Sequence, residues 1–136
     1  MDELPTWEPG TAAVFSAAGP HPIPVSTAVR AGPRRVLLAL GGRRETLRRV
    51  RERPEAALCL LAEGLAFSAI GRARVIREGL DAAPALAVVE LEVEEIVDHL
   101  ADGRTEMLGA AAWRWLDEKA EASEPAIRAE LEALAG

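Results

Sequence analysis

One cysteine, Cys59, is all the chain contains, so no internal disulfide and no thiolate-based zinc site can form. Its place within the apolar run AALCLLA points to a buried structural thiol rather than a nucleophile. The only two histidines, His21 and His99, stand far apart with no carboxylate cluster beside either, and no metal centre is expected. Long apolar runs are missing too. The longest, Val36 to Leu40 and Ala56 to Ala62, fall far short of the roughly 20 residues that a membrane-spanning helix needs. The opening MDELPTWEPG is acidic and lacks the basic and apolar regions of a secretion signal, so a cytoplasmic protein without membrane association is expected. Asparagine, glutamine and tyrosine are absent, and Lys119 is the only lysine. GC-rich coding and a thermophilic origin both account for that bias.

What remains is enough for one core. The chain has 136 residues, 49% of them hydrophobic, which suits a single domain over residues 1–136. The net charge of −6 conceals an asymmetry: residues 1–77 carry 12 basic and 7 acidic side chains, residues 78–136 carry 4 and 15. Periodicity and turn residues divide the first hundred residues into strands. Thr11 to Ala18 ends at Gly19-Pro20. His21 to Arg30 follows, with Pro22 and Pro24 marking its start as an edge, since proline cannot donate to a ladder. Arg35 to Leu40 reads as a strand buried on both faces. Ala56 to Ala62, Ala66 to Arg77 and Leu86 to Val97 complete a set of six, joined by hairpin-length links. The expected fold is mainly β, a six-stranded antiparallel barrel with flanking helices. Arg43 to Arg53 reads as a short helix stopped by Pro54, docking through Leu47 and Val50. Ala110 to Trp115 fits either a last strand or a helical start. A helical segment is expected over about 116–135, with a possible break where Ser123-Glu124-Pro125 resembles a new N-terminus.

The segment RRVLLALGGRRETLRRVRERP carries the clearest chemical signal. An apolar strand, two glycines and an arginine-rich helix start would present unpaired backbone N–H groups and the positive end of a helix dipole to an anion. Arg43 and Arg44 would add charge-assisted contacts and Thr46 a hydroxyl. A solvated basic helix is the competing account. Neither a P-loop nor a dinucleotide-binding glycine fingerprint is present. Eight arginines against two glutamates between Arg34 and Arg53 also suit nucleic acid. The segment has no aromatic residue for base stacking and the chain is acidic overall, so no nucleic-acid partner is expected.

The order GPHPIPVSTAV, RRVLLAL, RRETLRRVRERPEAALCLL and AFSAIGRARV resembles the FMN-binding split barrels related to pyridoxamine 5′-phosphate oxidase. The likeness covers roughly residues 10–98. Gly71, Ala73 and Val75 match that family's Gly-x-Ala-x-Val strand, and Pro54 its helix stop. The resemblance implies a six-stranded split barrel and a homodimeric, flavin-dependent oxidoreductase acting on a small-molecule substrate. It places the FMN phosphate at Arg43, Arg44 and Thr46, and the flavin ring along Pro24, Val25, Ser26 and Thr27. It also suggests that a late segment carrying Trp113 and Trp115 reaches a flavin pocket, where an aromatic plane can stack on the ring. Filling of a core or interface is the plainer use of two tryptophans. His21 is a candidate proton donor near the flavin, or a surface turn residue. Thr46 stands where the family often has lysine, and Arg49 where asparagine is usual. Relatives on this fold use F420 or haem instead of FMN, and a non-catalytic module binding a flavin or phosphorylated ligand is a further alternative.

Overall fold

A computed structural model describes residues 1–42 and 44–136. Seven strands, β1 (Ala13–Ala17), β2 (His21–Val25), β3 (Val29–Gly32), β4 (Arg35–Gly41), β5 (Glu55–Ala62), β6 (Leu65–Arg77) and β7 (Leu86–Asp98), form one antiparallel sheet in the order β2-β1-β5-β6-β7-β4-β3. Helix α1 (Glu45–Glu52) follows β4, and α2 (Glu118–Ala135) ends the chain. Alternation in the sequence sets which side chains face inward. Ala13, Phe15 and Ala17 of β1 and Ala56, Leu58 and Leu60 of β5 are buried, as are Ala69 and Ala73 of β6 and Val89, Leu91 and Val93 of β7. Together with Phe67 they make the main core. Each large side chain taken from water here contributes about 1.5–3 kcal/mol.

Strand β4 is buried on both faces, as its continuous apolar run predicts. Val36, Leu38 and Leu40 enter the main core, whereas Leu37 and Ala39 join Leu80, Val88 and Leu131 of α2 in a second cluster on the outer side. Gly71 has a specific reason to be glycine. It lies where β6 shifts register against β7, and a Cβ there would stand 1.9 Å from the Glu92 carbonyl oxygen.

The sequence read His21 to Arg30 as one strand; the structure divides it, giving seven strands instead of six. Register places Val29 opposite Leu37. Two residues earlier, the Thr27 hydroxyl donates to the Ala39 carbonyl at 3.0 Å and accepts from the Ala39 N–H at 3.1 Å. The side chain thus takes both positions that backbone pairing would occupy, and the chain leaves the β3 edge to become the β2 edge. Strand β2 pairs with β1 alone, which accommodates Pro22 and Pro24.

Helix α1 seats Thr46, Leu47 and Val50 against the barrel. Arg49 reaches from it to the Ala18 carbonyl, at 3.0 Å, tying the helix to the β1–β2 turn. Helix α2 is unbroken. Asp117 caps it by accepting from the N–H groups of Lys119 and Ala120, and Pro125 lies inside it on its exposed side. Ser123 donates to the carbonyls of Lys119 and Ala120 rather than starting a new helix. Between β7 and α2, residues 105–117 form neither strand nor helix, so Ala110 to Trp115 is an irregular segment. Among the described residues no helix is long and apolar enough to cross a membrane.

Candidate functional site

Where the chain crosses between the sheet's two edges, a cavity of about 360 Å³ opens. Its floor is Pro24, Val25, Ser26 and Thr27 from the crossing and Ala39, Leu40 and Gly41 from β4. Arg44 stands at one side, Ala83 and Leu86 at another. Trp115 and the α2 residues Ala120, Ser123, Glu124 and Ile127 form the roof. The lining is mostly apolar with a few polar groups, the usual composition of a small-ligand site.

Six of the residues singled out in the sequence are therefore brought together here: Pro24, Val25, Ser26, Thr27, Arg44 and Trp115. Arg43 lies outside the described residues. Trp113 does not line the cavity. It meets Trp115 edge-on, with centroids 5.3 Å apart and planes at 82°, and its indole N–H donates to the Gly10 carbonyl at 2.9 Å. One tryptophan thus roofs the chamber while the other tethers it. Thr46, expected at the phosphate, does not line the cavity either: it packs inward with Leu47 and Val50, is 1% exposed, and among the described residues its Oγ1 has no hydrogen-bond partner. A buried hydroxyl in that state costs about 1–3 kcal/mol unless a group outside the chain satisfies it.

Arginines around α1 are sorted by their contacts. Arg48 bonds Glu45, at 2.9 Å through Nε, and Glu52 at 2.6 Å. Arg49 meets Glu45 at 3.2 Å and Arg51 meets Glu78 at 2.5 Å. Arg44, which precedes α1 as its N-cap, makes no ion pair among the described residues and no side-chain cap. Glu45 would repel an anion at the helix start, but its hydrogen bond to Arg48, helped by Arg49, holds its carboxyl down to about 2. Those two guanidiniums neutralise it, leaving Arg44 as the cation that lines the chamber among the described residues.

Neither histidine lines the cavity. His21 is half-buried in β2, and His99 is exposed, its Nε2 2.8 Å from Ser68 Oγ. No metal-binding group of three or more His, Cys, Asp or Glu side chains occurs among the described residues. Cys59 is half-buried instead of enclosed. It sits on the outer face of β5 opposite Val14 and Ser68, in a patch where Val14, Leu61 and Ile70 are 42%, 45% and 40% exposed. Sequence reading missed the whole α2 contribution to the roof. Only Leu131 of α2 is fully buried, so the helix has no strong apolar stripe to reveal the face it presents.

No known family profile matches the sequence, and no curated protein matches it. Solved structures do match by fold. HupZ from Group A Streptococcus superposes with a TM-score of 0.55 at 16% identity, over 76% of this chain and 90% of that one. A candidate pyridoxamine 5′-phosphate oxidase from Lactobacillus delbrueckii gives 0.56 at 18% identity, over 71% and 95%. An F420 reductase gives 0.52 at 9%, over 66% and 91%. The structural neighbours are split-barrel proteins of the pyridoxamine 5′-phosphate oxidase type, and the chain has their fold.

Proposed function

We propose that the chain is an FMN-binding oxidoreductase working as a homodimer on a small-molecule substrate. The observation that carries this reading is the cavity itself: among the described residues, a chamber of about 360 Å³ combines one arginine without an ion pair with a mainly apolar lining. A flavin mononucleotide has the matching halves, a phosphate and a flat apolar ring. Arg44 would hold the phosphate, and the first-turn N–H groups of α1 would add donors. Leu40, Leu86, Ile127 and Trp115 would exclude water from the ring. When bound, FMN supplies the electron or hydride transfer, and the protein supplies binding, orientation and electrostatics.

The exposed apolar patch on β1, β5 and β6 supports the homodimer, since single-sided burial leaves Val14, Leu61 and Ile70 in water. A cytoplasmic setting fits a chain with one half-buried thiol. Purified protein should be yellow, with flavin absorption and a dimeric mass by light scattering. Arg44→Ala should weaken FMN about 10–100-fold while leaving riboflavin, which lacks the phosphate, nearly unchanged. Colourless protein indifferent to added FMN would sink the reading; an F420 or haem spectrum would replace the cofactor. Haem is disfavoured by the absence of histidine from the cavity lining.

A second reading has its own observation. Among the described residues the only ionisable side chains lining the chamber are Arg44 and Glu124, which favours a module that binds a flavin or phosphorylated ligand without turnover. Tight FMN binding with no reoxidation of added NADH or NADPH in the presence of electron acceptors would establish it.

A further inference from the structure

A second chamber, of about 340 Å³, meets the first at Pro24. Its floor is made by Val14 of β1 and by Cys59 and Leu61 of β5; Pro24 stands opposite Val14, and Val14 opposite Cys59. Its cover is the irregular segment, through Met107, Gly109, Ala110 and Ala111. Two hydrogen bonds position that cover. The Gly64 N–H donates to the Met107 carbonyl and the Trp113 indole N–H to the Gly10 carbonyl, both at 2.9 Å. Between these ties the short side chains span the floor without filling the space, and a Cβ at Gly109 would meet nothing within 4 Å among the described residues. The result is a chamber of ligand size. Among the described residues no charged side chain lines it, and the Cys59 thiol is its most polar side-chain group. A charge desolvated there would find no partner, so the chamber selects against charged ligands.

The two chambers are complementary. The first has Arg44 at one side, suited to an anion, whereas the second offers no charge among the described residues. Pro24 is the one described residue common to both linings, and the segment that covers the second chamber with residues 109–111 roofs the first with Trp115. Ligands in the two would therefore share a wall one side chain thick. Resting on the flavin reading above, we propose that the second chamber binds the substrate, and that the substrate is a neutral, largely apolar small molecule. A second copy seated on the sheet face, where Val14 and Leu61 are exposed, is the competing occupant. It would shield Cys59 with no small molecule present.

The test uses the full chain loaded with FMN, and N-phenylnaphthylamine as a neutral probe whose fluorescence rises in apolar surroundings. Cys59 is the only cysteine, so labelling by methyl methanethiosulfonate, read by mass spectrometry, reports on this chamber alone. The probe should bind with FMN in place and shift the absorption of the bound flavin. At a probe concentration about ten times its dissociation constant, labelling of Cys59 should slow about tenfold. The sulfonated analogue, anilinonaphthalenesulfonate, should bind about tenfold more weakly. Val14→Asp and Leu61→Glu, both at exposed positions, should each weaken the probe about tenfold and leave FMN affinity unchanged. Arg44→Ala should do the reverse. Competition between probe and FMN, equal affinity for the sulfonated analogue, or a Cys59 that is unreactive before the probe is added would overturn the proposal. A protected Cys59 beside an unshifted flavin spectrum would overturn the substrate assignment. Protein that binds the probe but no FMN would remove the flavin reading, and the substrate assignment with it, and leave an apolar-ligand site.

Discussion

The barrel and the C-terminal arm bury aromatic residues by different means. Phe67 in β6 is fully enclosed, surrounded by side chains from several strands, with the Trp7 ring 5.7 Å away. Trp113 in the irregular segment is 44% exposed and is placed by one hydrogen bond and one ring contact. The barrel draws stability from many redundant contacts. The arm depends on a few identifiable points: the Trp113–Gly10 bond, the Asp117 cap, Leu131 in the second cluster, and Glu130 accepting from the N–H groups of Asp81 and Ala82. Because the arm supplies the cavity roof, the site is assembled from the most and the least redundant parts of the molecule.

Substitutions can break that contrast. Phe67→Ala should cost about 3–5 kcal/mol in urea unfolding, the range for a large side chain removed from a closed core. A cost under 1 kcal/mol would mean that the barrel core is looser than its burial implies. Leu131→Ala should cost about 2–3 kcal/mol, and hydrogen exchange should quicken in α2 before the barrel. Uniform acceleration in both regions would make arm and barrel one cooperative unit. Glu90 sharpens the comparison from the barrel's outer face, where it accepts from Arg35 at 2.7 Å and Arg74 at 3.0 Å. Burial alone would raise its carboxyl, but the two guanidiniums outweigh burial and hold it below the ordinary carboxylate range. Its contribution is therefore present above the unfolded-state value and lost as pH falls through the depressed folded value. Glu90→Gln should cost about 1–2 kcal/mol at pH 7, discounted for the exposure of Arg74, and the gap to wild type should shrink on acidification. A gap independent of pH would contradict this. Trp113→Phe keeps the ring and deletes the indole donor, so about 0.5–1.5 kcal/mol is expected, seen mainly as changed Trp115 fluorescence.

Legibility followed the same division. Strands β1, β4, β5, β6 and β7 were readable from apolar runs, alternation and the turn residues between them. Arg44, singled out at an arginine-rich helix start, and Pro24 to Thr27, singled out by the order of the family-like segments, line one cavity. The break within His21 to Arg30 was not. It depends on the Thr27 hydroxyl binding Ala39, a contact across twelve residues that no local pattern encodes. The strand signature serves packing: Gly71 admits the Glu92 carbonyl, and Ala73 is buried in the core. Apart from Trp115, the roof was invisible for want of periodicity. Its residues Ala120, Ser123 and Glu124 face a void instead of a packed surface, so nothing selects for an apolar stripe there.

The Thr27 rung carries one more consequence. The sheet's two edge strands, β2 and β3, are consecutive in the chain and separated only by Ser26, Thr27 and Ala28. Continuous backbone pairing along that stretch would erase a seam and toughen the barrel, yet the same stretch is the floor of the chamber. Durability and room for a ligand thus compete for the same few peptide groups. Selection for heat resistance alone would tend to seal the seam.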